Sequence, residues 1–308
     1  MSSDCFELRD RCPACNSINF KQIHKSAYKQ PPIINYLNEF YGPLEEVDLN
    51  CLTDATYSLC LCNDCDLIFQ KEIPNDFLMD RFYGHWVDPH KALIKHKNNT
   101  LATYYNHSYE LTHCISYFNQ NPAGLKFLDF GMGWGDWALM AKAFGCQSYG
   151  LELSLERIHH AESNGIEILD MKSITQHQFD FINAEQVFEH LANPYETLCE
   201  LKKALKPNGI IKISVPKTRR INKNPEKVDW NNYSVSLNSI APMAHINTFR
   251  NSSLVNMAER ANMKELFLPI NKPYRSYKSI KNKIKEALKP ERRKYLNSNN
   301  YSFFQNIV

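Results

Sequence analysis

The sequence predicts a Rossmann-like, doubly wound α/β domain preceded by a small cysteine-rich module, and three observations predict it. Short apolar runs alternate with amphipathic stretches from Leu125 onward. Three alternating glycines follow the first of those runs, and two C-x-x-C pairs stand before residue 66. Apolar runs alternating with helical stretches mark βαβ units and a mostly parallel sheet.

The elements follow in chain order. Residues 1–88 are rich in Cys, Pro and aromatic side chains with little sustained periodicity, as expected of a small module held by something other than a large core. Residues 89–122 read as a helical connector, with Leu93, Ile94, His96, Leu101, Tyr105 and Leu111 near helical spacing. The domain proper is expected at 123–270. A strand at 126–130 leads to a helix at 136–144, stopped by Gly145 as a left-handed cap. A second strand covers 148–153, and Ser154 can cap a helix at 155–163. Strands at 166–169 and 179–184 precede a helix with Tyr195, Leu198, Leu201 and Leu205 on one face. The turn Lys206-Pro207-Asn208-Gly209 ends it, before a fifth strand at 210–215. Residues 216–247, irregular and punctuated by Trp230, Tyr233 and His245, have the length of a lid or binding loop. A helix at 253–261 and a sixth strand at 265–268 follow, and no seventh strand is legible. Residues 271–308 read as a basic tail with a Lys/Arg-rich helix.

Composition narrows the class. With 43% apolar and 22% charged residues among 308, the chain can build a substantial core, which excludes wholesale disorder. A net charge of +3 gives no argument for nucleic acid or membrane as a partner. Charges in Met1 to Arg11 occupy the place of a signal peptide's apolar stretch, and no apolar run approaches the roughly 20 residues that span a bilayer. A soluble, cytoplasmic protein is expected. In that compartment ten cysteines read as metal ligands and core residues rather than a disulfide framework.

The stretch Phe127-Leu128-Asp129-Phe130-Gly131-Met132-Gly133-Trp134-Gly135-Asp136 is a buried strand running into a glycine loop and a helix. Glycines let a ligand approach the backbone, and the helix start offers unsatisfied N–H groups. A dinucleotide fingerprint needs a small residue where Asp136 stands. A carboxylate there repels a pyrophosphate, whereas Asp129 and Asp136 suit a ligand carrying a sulfonium and an ammonium. Glu152, ending the second strand, can accept hydrogen bonds from ribose hydroxyls, a feature shared with dinucleotide sites.

On the segments "FLDFGMGWGDWALMAKAFG", "SYGLELSLERIHHAESNGIEIL", "FDFINAEQVFEHLANPYETLCELKKALKPNGIIKISVP" and "AHINTFRNSSLVNMAERAN", residues 124 to 268 resemble the class I S-adenosylmethionine-dependent methyltransferases, particularly those acting on small molecules and sugars. The resemblance implies that Asp129, Gly131, Met132, Gly133 and Gly135 hold the methionine part of S-adenosylmethionine. It implies that Glu152 meets its ribose, that Leu153 also binds the cofactor, that Asp170 flanks adenine, and that Glu185 and Gln186 line the methyl-donor pocket. An oxygen or carbon acceptor also needs a base. His190 in "FEHL" and His245 in "PMAHINTF" are the candidates, with Glu189 beside them; Glu189 and His190 also have the make-up of a divalent-cation pair.

Cys12-Pro13-Ala14-Cys15 and Cys62-Asn63-Asp64-Cys65 are two knuckles whose four thiolates suit tetrahedral, structural zinc. The insert between them must hold elements of its own, among them a helix with Tyr36, Leu37 and Phe40; "LIF" after Cys65 suits a ribbon strand. Cys60 competes for a ligand position, Cys5 and Cys51 less so. The order "CPAC", "YSLCLCNDCDLIF", "FYGHW" resembles zinc-containing sugar methyltransferases, including deoxysugar C-methyltransferases, though the downstream domain typical of those is absent. The expectation is methyl transfer to a small hydroxylated acceptor such as a sugar or nucleotide-sugar, with O-methylation favoured over C-methylation. Competing readings are an RNA or protein methyltransferase and a catalytically inactive zinc-ribbon interaction protein.

Overall fold

The structure, a computed structural model, describes residues 5–87, 93, 94, 96–218, 238–267 and 301–306. The N-terminal module opens with β1 (Phe6–Leu8), β2 (Phe20–Ala27), α1 (Ile33–Tyr41) and α2 (Glu46–Cys51). It continues through β3 (Thr56–Cys62), β4 (Ile68–Gln70), β5 (Glu72–Pro74) and α3 (Asp76–Arg81), then a π-helical turn at Phe82–Trp86. The helix expected in the insert is α1, which buries Tyr36 and Leu37. The strand expected after the second knuckle is β4. The connector helix, α4, spans Leu101–Phe118.

A seven-stranded sheet follows. Its strands β6 (Lys126–Phe130), β7 (Gln147–Leu151), β8 (Glu167–Ile168), β9 (Phe179–Glu185) and β10 (Leu205–Ser214) run parallel. Between them lie α5 (Asp136–Ala143), α6 (Leu155–Ser163) and α7 (Pro194–Lys203). The short β11 (Asn247–Thr248) belongs elsewhere, and α8 (Asn251–Arg260), β12 (Met263–Leu266) and β13 (Tyr301–Asn306) complete the domain. The order across the sheet is β12-β13-β10-β9-β6-β7-β8. Central strands read as continuous apolar runs because both faces are covered. Phe127 and Phe181 pack with Leu111 of α4 and Trp137 of α5 on one side. Leu128 and Ile182 pack with Leu198, Leu201, Leu254 and Met257 on the other.

Four expectations are corrected. A seventh strand exists: β13 enters antiparallel between β10 and β12, so residues 301–306 belong to the sheet rather than to a free basic tail. It was hidden because six residues behind a polar stretch show no period; Phe303 and Phe304 are buried by their neighbours, not by their own pattern. Cys5 and Cys51 form a disulfide inside the apolar cluster that also holds Tyr28, Leu52 and Tyr57. The second strand stops at Leu151, and the third shrinks to Glu167–Ile168. The Lys206–Gly209 turn is a register shift inside β10 rather than a boundary before it.

The module and the domain are also woven together. Strand β11, far from the module in sequence, pairs with β4, giving a four-stranded sheet ordered β11-β4-β3-β2. Cys12, Cys62, Cys65 and Phe69 share one apolar core with Leu198, Leu254 and Met257. The predicted basic helix, Trp230 and Tyr233 lie outside the described residues. Among the described residues, no helix is long and apolar enough to cross a membrane.

Candidate active site

Strand β6 delivers Asp129 to the carboxyl end of the sheet, where it is 3% exposed. Its register partner on β9 is Asn183, whose amide donates to Asp129 Oδ1 at 2.8 Å. Burial pushes the Asp129 carboxyl up to about 7, opposed by the Asn183 hydrogen bond. The glycine loop then turns with φ of 70°, 57° and 80° at Gly131, Gly133 and Gly135, conformations that glycine adopts without steric cost. Gly131 is packed, since a Cβ there would lie 2.5 Å from Val187 Cγ2. Gly133 faces open space, with nothing within 4 Å of a Cβ. This loop therefore leaves a cradle over its middle glycine, closed below by Val187 and ended by the start of α5.

Glu152 lies just past β7. Its Oε2 accepts the Gly133 N–H at 2.9 Å, and its Oε1 accepts from the Leu153 and Ser154 N–H groups at 2.9 and 3.1 Å. The carboxylate is thus fixed across the cradle, with Arg157 at 3.6 Å. Leu153 is 89% exposed, an apolar surface beside that carboxylate. Two expected contacts sit differently. The Met132 side chain turns into the core with Ala138, Ala161 and Ile166, so only its backbone belongs to the loop surface. The Asp170 carboxylate accepts from the Lys172 and Ser173 N–H groups and the Ser173 hydroxyl, which commits it to its own turn and holds it below the usual carboxylate range. Asp136 is similarly engaged, by His96 Nδ1 at 3.1 Å and Asn99 Nδ2 at 2.7 Å. His96 also stacks on Trp134, with ring centroids 5.2 Å apart.

Glu185 ends β9 and pairs with the buried Lys212 at 3.1 Å, which holds its carboxyl low. Lys212 also meets Glu110 of α4 at 2.8 Å, and Glu110 accepts from Trp137 Nε1. Gln186 takes a positive φ of 57° and redirects the chain into a 3₁₀ turn, Phe188–His190. That turn buries Glu189 to 1% exposure, with both carboxylate oxygens lacking a hydrogen-bond partner. Burial pushes its carboxyl up to about 8. His190 Nδ1 bonds the Ala244 carbonyl at 2.7 Å, and its ring lies 4.9 Å from that of His245. The structure thus brings Glu189, His190 and His245 into one group. Tyr83, from the N-terminal module, is half exposed and lies within electrostatic reach of both Glu189 and Glu152.

Sequence reasoning missed the frame of this group. Asn247 donates to the Phe188 and Leu191 carbonyls at 3.0 and 2.7 Å. Arg9 donates to Asn247 Oδ1 at 2.9 Å, to the Ile246 carbonyl at 3.2 Å and to the Ala192 carbonyl at 2.7 Å. Gln70 of β4 donates to the Ala241 and His245 carbonyls. For Asn183 and Lys212 a signal existed: each is a polar residue inside an apolar run, "FDFINAE" and "IIKIS". For Arg9, Gln70 and Asn247 none did, because their partners are remote in sequence.

The two knuckles repeat one geometry. Asn16 and Asp66 take positive φ, and their N–H groups return to Cys12 O and Cys62 O. Cys12 and Cys65 lie with sulfurs 3.6 Å apart, Cys15 and Cys62 3.4 Å. All four sulfurs fall within 4.8 Å of one another, and Cys60 is outside that group.

A family model described as a methyltransferase domain matches residues 101–265, more than half of the chain. The chain belongs to that methyltransferase family. The match covers the connector helix, the glycine loop and the turn bearing Glu189 and His190, and leaves the cysteine module outside. Two curated relatives are similar to part of this methyltransferase domain. One is the ubiquinone biosynthesis O-methyltransferase of Glaesserella parasuis, 30% identical over 118 residues, covering 32% of this chain and 50% of the relative. The other is that of Dinoroseobacter shibae, 35% identical over 119 residues, covering 34% and 45%. The chain spans about half the length of these relatives. Among solved structures, a plantazolicin methyltransferase in complex with SAH is 16% identical, covering 74% of this chain and 94% of that one with a TM-score of 0.49.

Proposed function

We propose that the chain transfers a methyl group from S-adenosylmethionine to a hydroxyl of a small acceptor. One observation carries the reading. A glycine cradle with its middle position open lies between a buried carboxyl, Asp129, and a carboxylate fixed for a diol, Glu152, and an acid–imidazole group follows the next strand of the same sheet. The residues suit the cofactor: Asp129 and the open side of the glycine loop face its amino-acid part, Glu152 its ribose, and exposed Leu153 its flat base. When bound, S-adenosylmethionine supplies an activated methyl on a sulfonium.

The chain's own task is alignment and proton removal, because in-line displacement needs the acceptor oxygen held on the methyl axis. His190 and His245 take the proton, with Glu189 behind them. Burial lowers the His190 pKa and so keeps its ring neutral and able to accept. Tyr83 brings the module to the mouth of the site and contacts the acceptor. A sugar or nucleotide-sugar is the narrower acceptor class, and a structural zinc in the four-cysteine cluster is its companion proposal. Four thiols converging within 4.8 Å fit that ion, which would lock the two knuckles together.

The test is an acceptor panel of sugars, nucleotide-sugars, catechols and carbon acids, followed by S-adenosylhomocysteine release and mass gain. Methylation of a hydroxyl acceptor that is lost in His190→Ala, with cofactor affinity kept, is the expected result. Methylation of carbon or nitrogen acceptors alone contradicts it.

A further inference from the structure

We infer that Glu189, His190 and His245 form a binding site for one divalent transition-metal ion, distinct from the cysteine cluster. One ligand atom of each lies within 4.8 Å of the others. A metal at ordinary bond lengths needs a contraction of that triangle that side-chain rotation supplies. Glu189 offers the second, independent observation. It is 1% exposed, and both of its carboxylate oxygens lack a hydrogen-bond partner, a state that is costly for a buried acid unless a ligand satisfies it.

The hydrogen bond on the far side of His190 decides which nitrogen faces Glu189. A carbonyl only accepts, so His190 Nδ1, 2.7 Å from Ala244 O, carries the proton. Neutral Nε2 then turns its lone pair toward the cluster, 3.8 Å from Glu189 Oε1. Once Glu189 is ionised two acceptors face each other across this gap, and a cation in it satisfies both. A backbone carbonyl holding the second nitrogen is how metal-ligating imidazoles are oriented. Ala244 itself is fixed, because its neighbour His245 gives its carbonyl to Gln70. The turn bearing Glu189 is clamped by Asn247 and Arg9.

Two imidazoles and one carboxylate suit borderline ions such as Mn²⁺, Fe²⁺ or Zn²⁺ better than Mg²⁺ or Ca²⁺, which prefer all-oxygen shells. Three protein ligands leave positions open. Resting on the proposed hydroxyl acceptor, those positions take the acceptor oxygen and lower its pKa. The oxygen's proton then passes to solvent, the oxygen gains the methyl group, and the thioether leaves. With the ion in place His190 and His245 are ligands of the ion, and they take the acceptor's proton only where no ion is bound.

The experiment is Mn²⁺ titration of the full chain, its cysteine cluster already zinc-loaded, read by loss of the free-ion electron paramagnetic resonance signal. One Mn²⁺ per chain is expected, displaced by added Zn²⁺, with affinity reduced at least about tenfold in Glu189→Gln and in His245→Ala while S-adenosylmethionine still binds. Should Glu189→Gln fail to fold, His245→Ala and His190→Ala carry the comparison. Absence of Mn²⁺ and Zn²⁺ binding beyond the cysteine cluster, or undiminished binding in the variants, overturns the site. A chain that binds Mn²⁺ but methylates no hydroxyl acceptor supports the site and sinks the acceptor reading. Hydroxyl methylation at full rate in chelator, without ion binding, does the reverse.

Discussion

Arg9 donates a hydrogen bond to the side-chain carbonyl of Asn247 at 2.9 Å, across nearly the whole length of the chain. Asn247 spends its own amide on the two carbonyls that bracket Glu189 and His190. The cysteine module therefore holds the candidate acid–imidazole group in place through this guanidinium as well as through Gln70 and the β4–β11 pairing. Arg9→Ala removes a half-buried charged donor from five acceptors: Asn247 Oδ1 and the carbonyls of Gln70, Leu191, Ala192 and Ile246. It should cost about 2 kcal/mol of stability and lower turnover while leaving cofactor affinity within about twofold. Thermal melts and calorimetric titration check this; unchanged turnover would detach the module from the site.

The glycine loop offers a paired test. Gly131→Ala places a methyl 2.5 Å from Val187 Cγ2 at a φ of 70°, so it should destabilise the fold by about 2 kcal/mol or more. Gly133→Ala meets no atom within 4 Å and bears only the strain of its φ, on the order of 1 kcal/mol. Its methyl nevertheless fills the cradle, so cofactor affinity should drop by about tenfold or more. Equal effects of the two substitutions on melting and on binding would contradict the assignment of Gly133 to the ligand.

Legibility in the sequence was uneven, for physical reasons. Strands β6, β7 and β9 announce themselves because central parallel strands are apolar on both faces, and the loop after β6 shows its glycines. The group Glu189–His190–His245 was named from two separate motifs, but its convergence was not readable. It depends on β11 pairing with β4, and nothing in Asn247-Thr248 signals a partner at Phe69 and Ile68. The same holds for β13, whose pairing with β10 and β12 is tertiary. Met132 shows the limit of motif reasoning: the strand–glycine loop–helix order is legible in the motif, while the Met132 side chain packs beneath Gly150 rather than facing the cradle.

Asp129 gives a pH dependence with a definite sign. Its carboxyl moves from 3.8 to about 7 in the fold, so between those values the native state keeps a proton that the unfolded chain gives up. Stability of the cofactor-free protein should fall as pH rises through that window and level off above it. An ammonium beside Asp129 favours its ionised form, so affinity for S-adenosylmethionine should rise toward pH 7 with proton release. Calorimetry in two buffers of different ionisation enthalpy measures that release, and Asp129→Asn should abolish it. A flat affinity over this range would remove Asp129 from the cofactor's amino-acid end.

The cysteine cluster sits in the core that also packs α7 and α8. Cys15→Ser should therefore abolish binding of the proposed zinc and lower the melting temperature of the whole chain, not of a separate module. Metal content by elemental analysis together with a single shifted calorimetric transition is the expected outcome. Two transitions, with the domain's unchanged, would show that the module folds alone.

The central claim is that the glycine cradle and Glu152 bind S-adenosylmethionine. Calorimetric titration of the zinc-loaded chain with S-adenosylmethionine and, separately, NAD tests it most directly. The account predicts one-site binding of S-adenosylmethionine alone, lost in Glu152→Ala. Binding of NAD instead, or of neither by the folded protein, would contradict it.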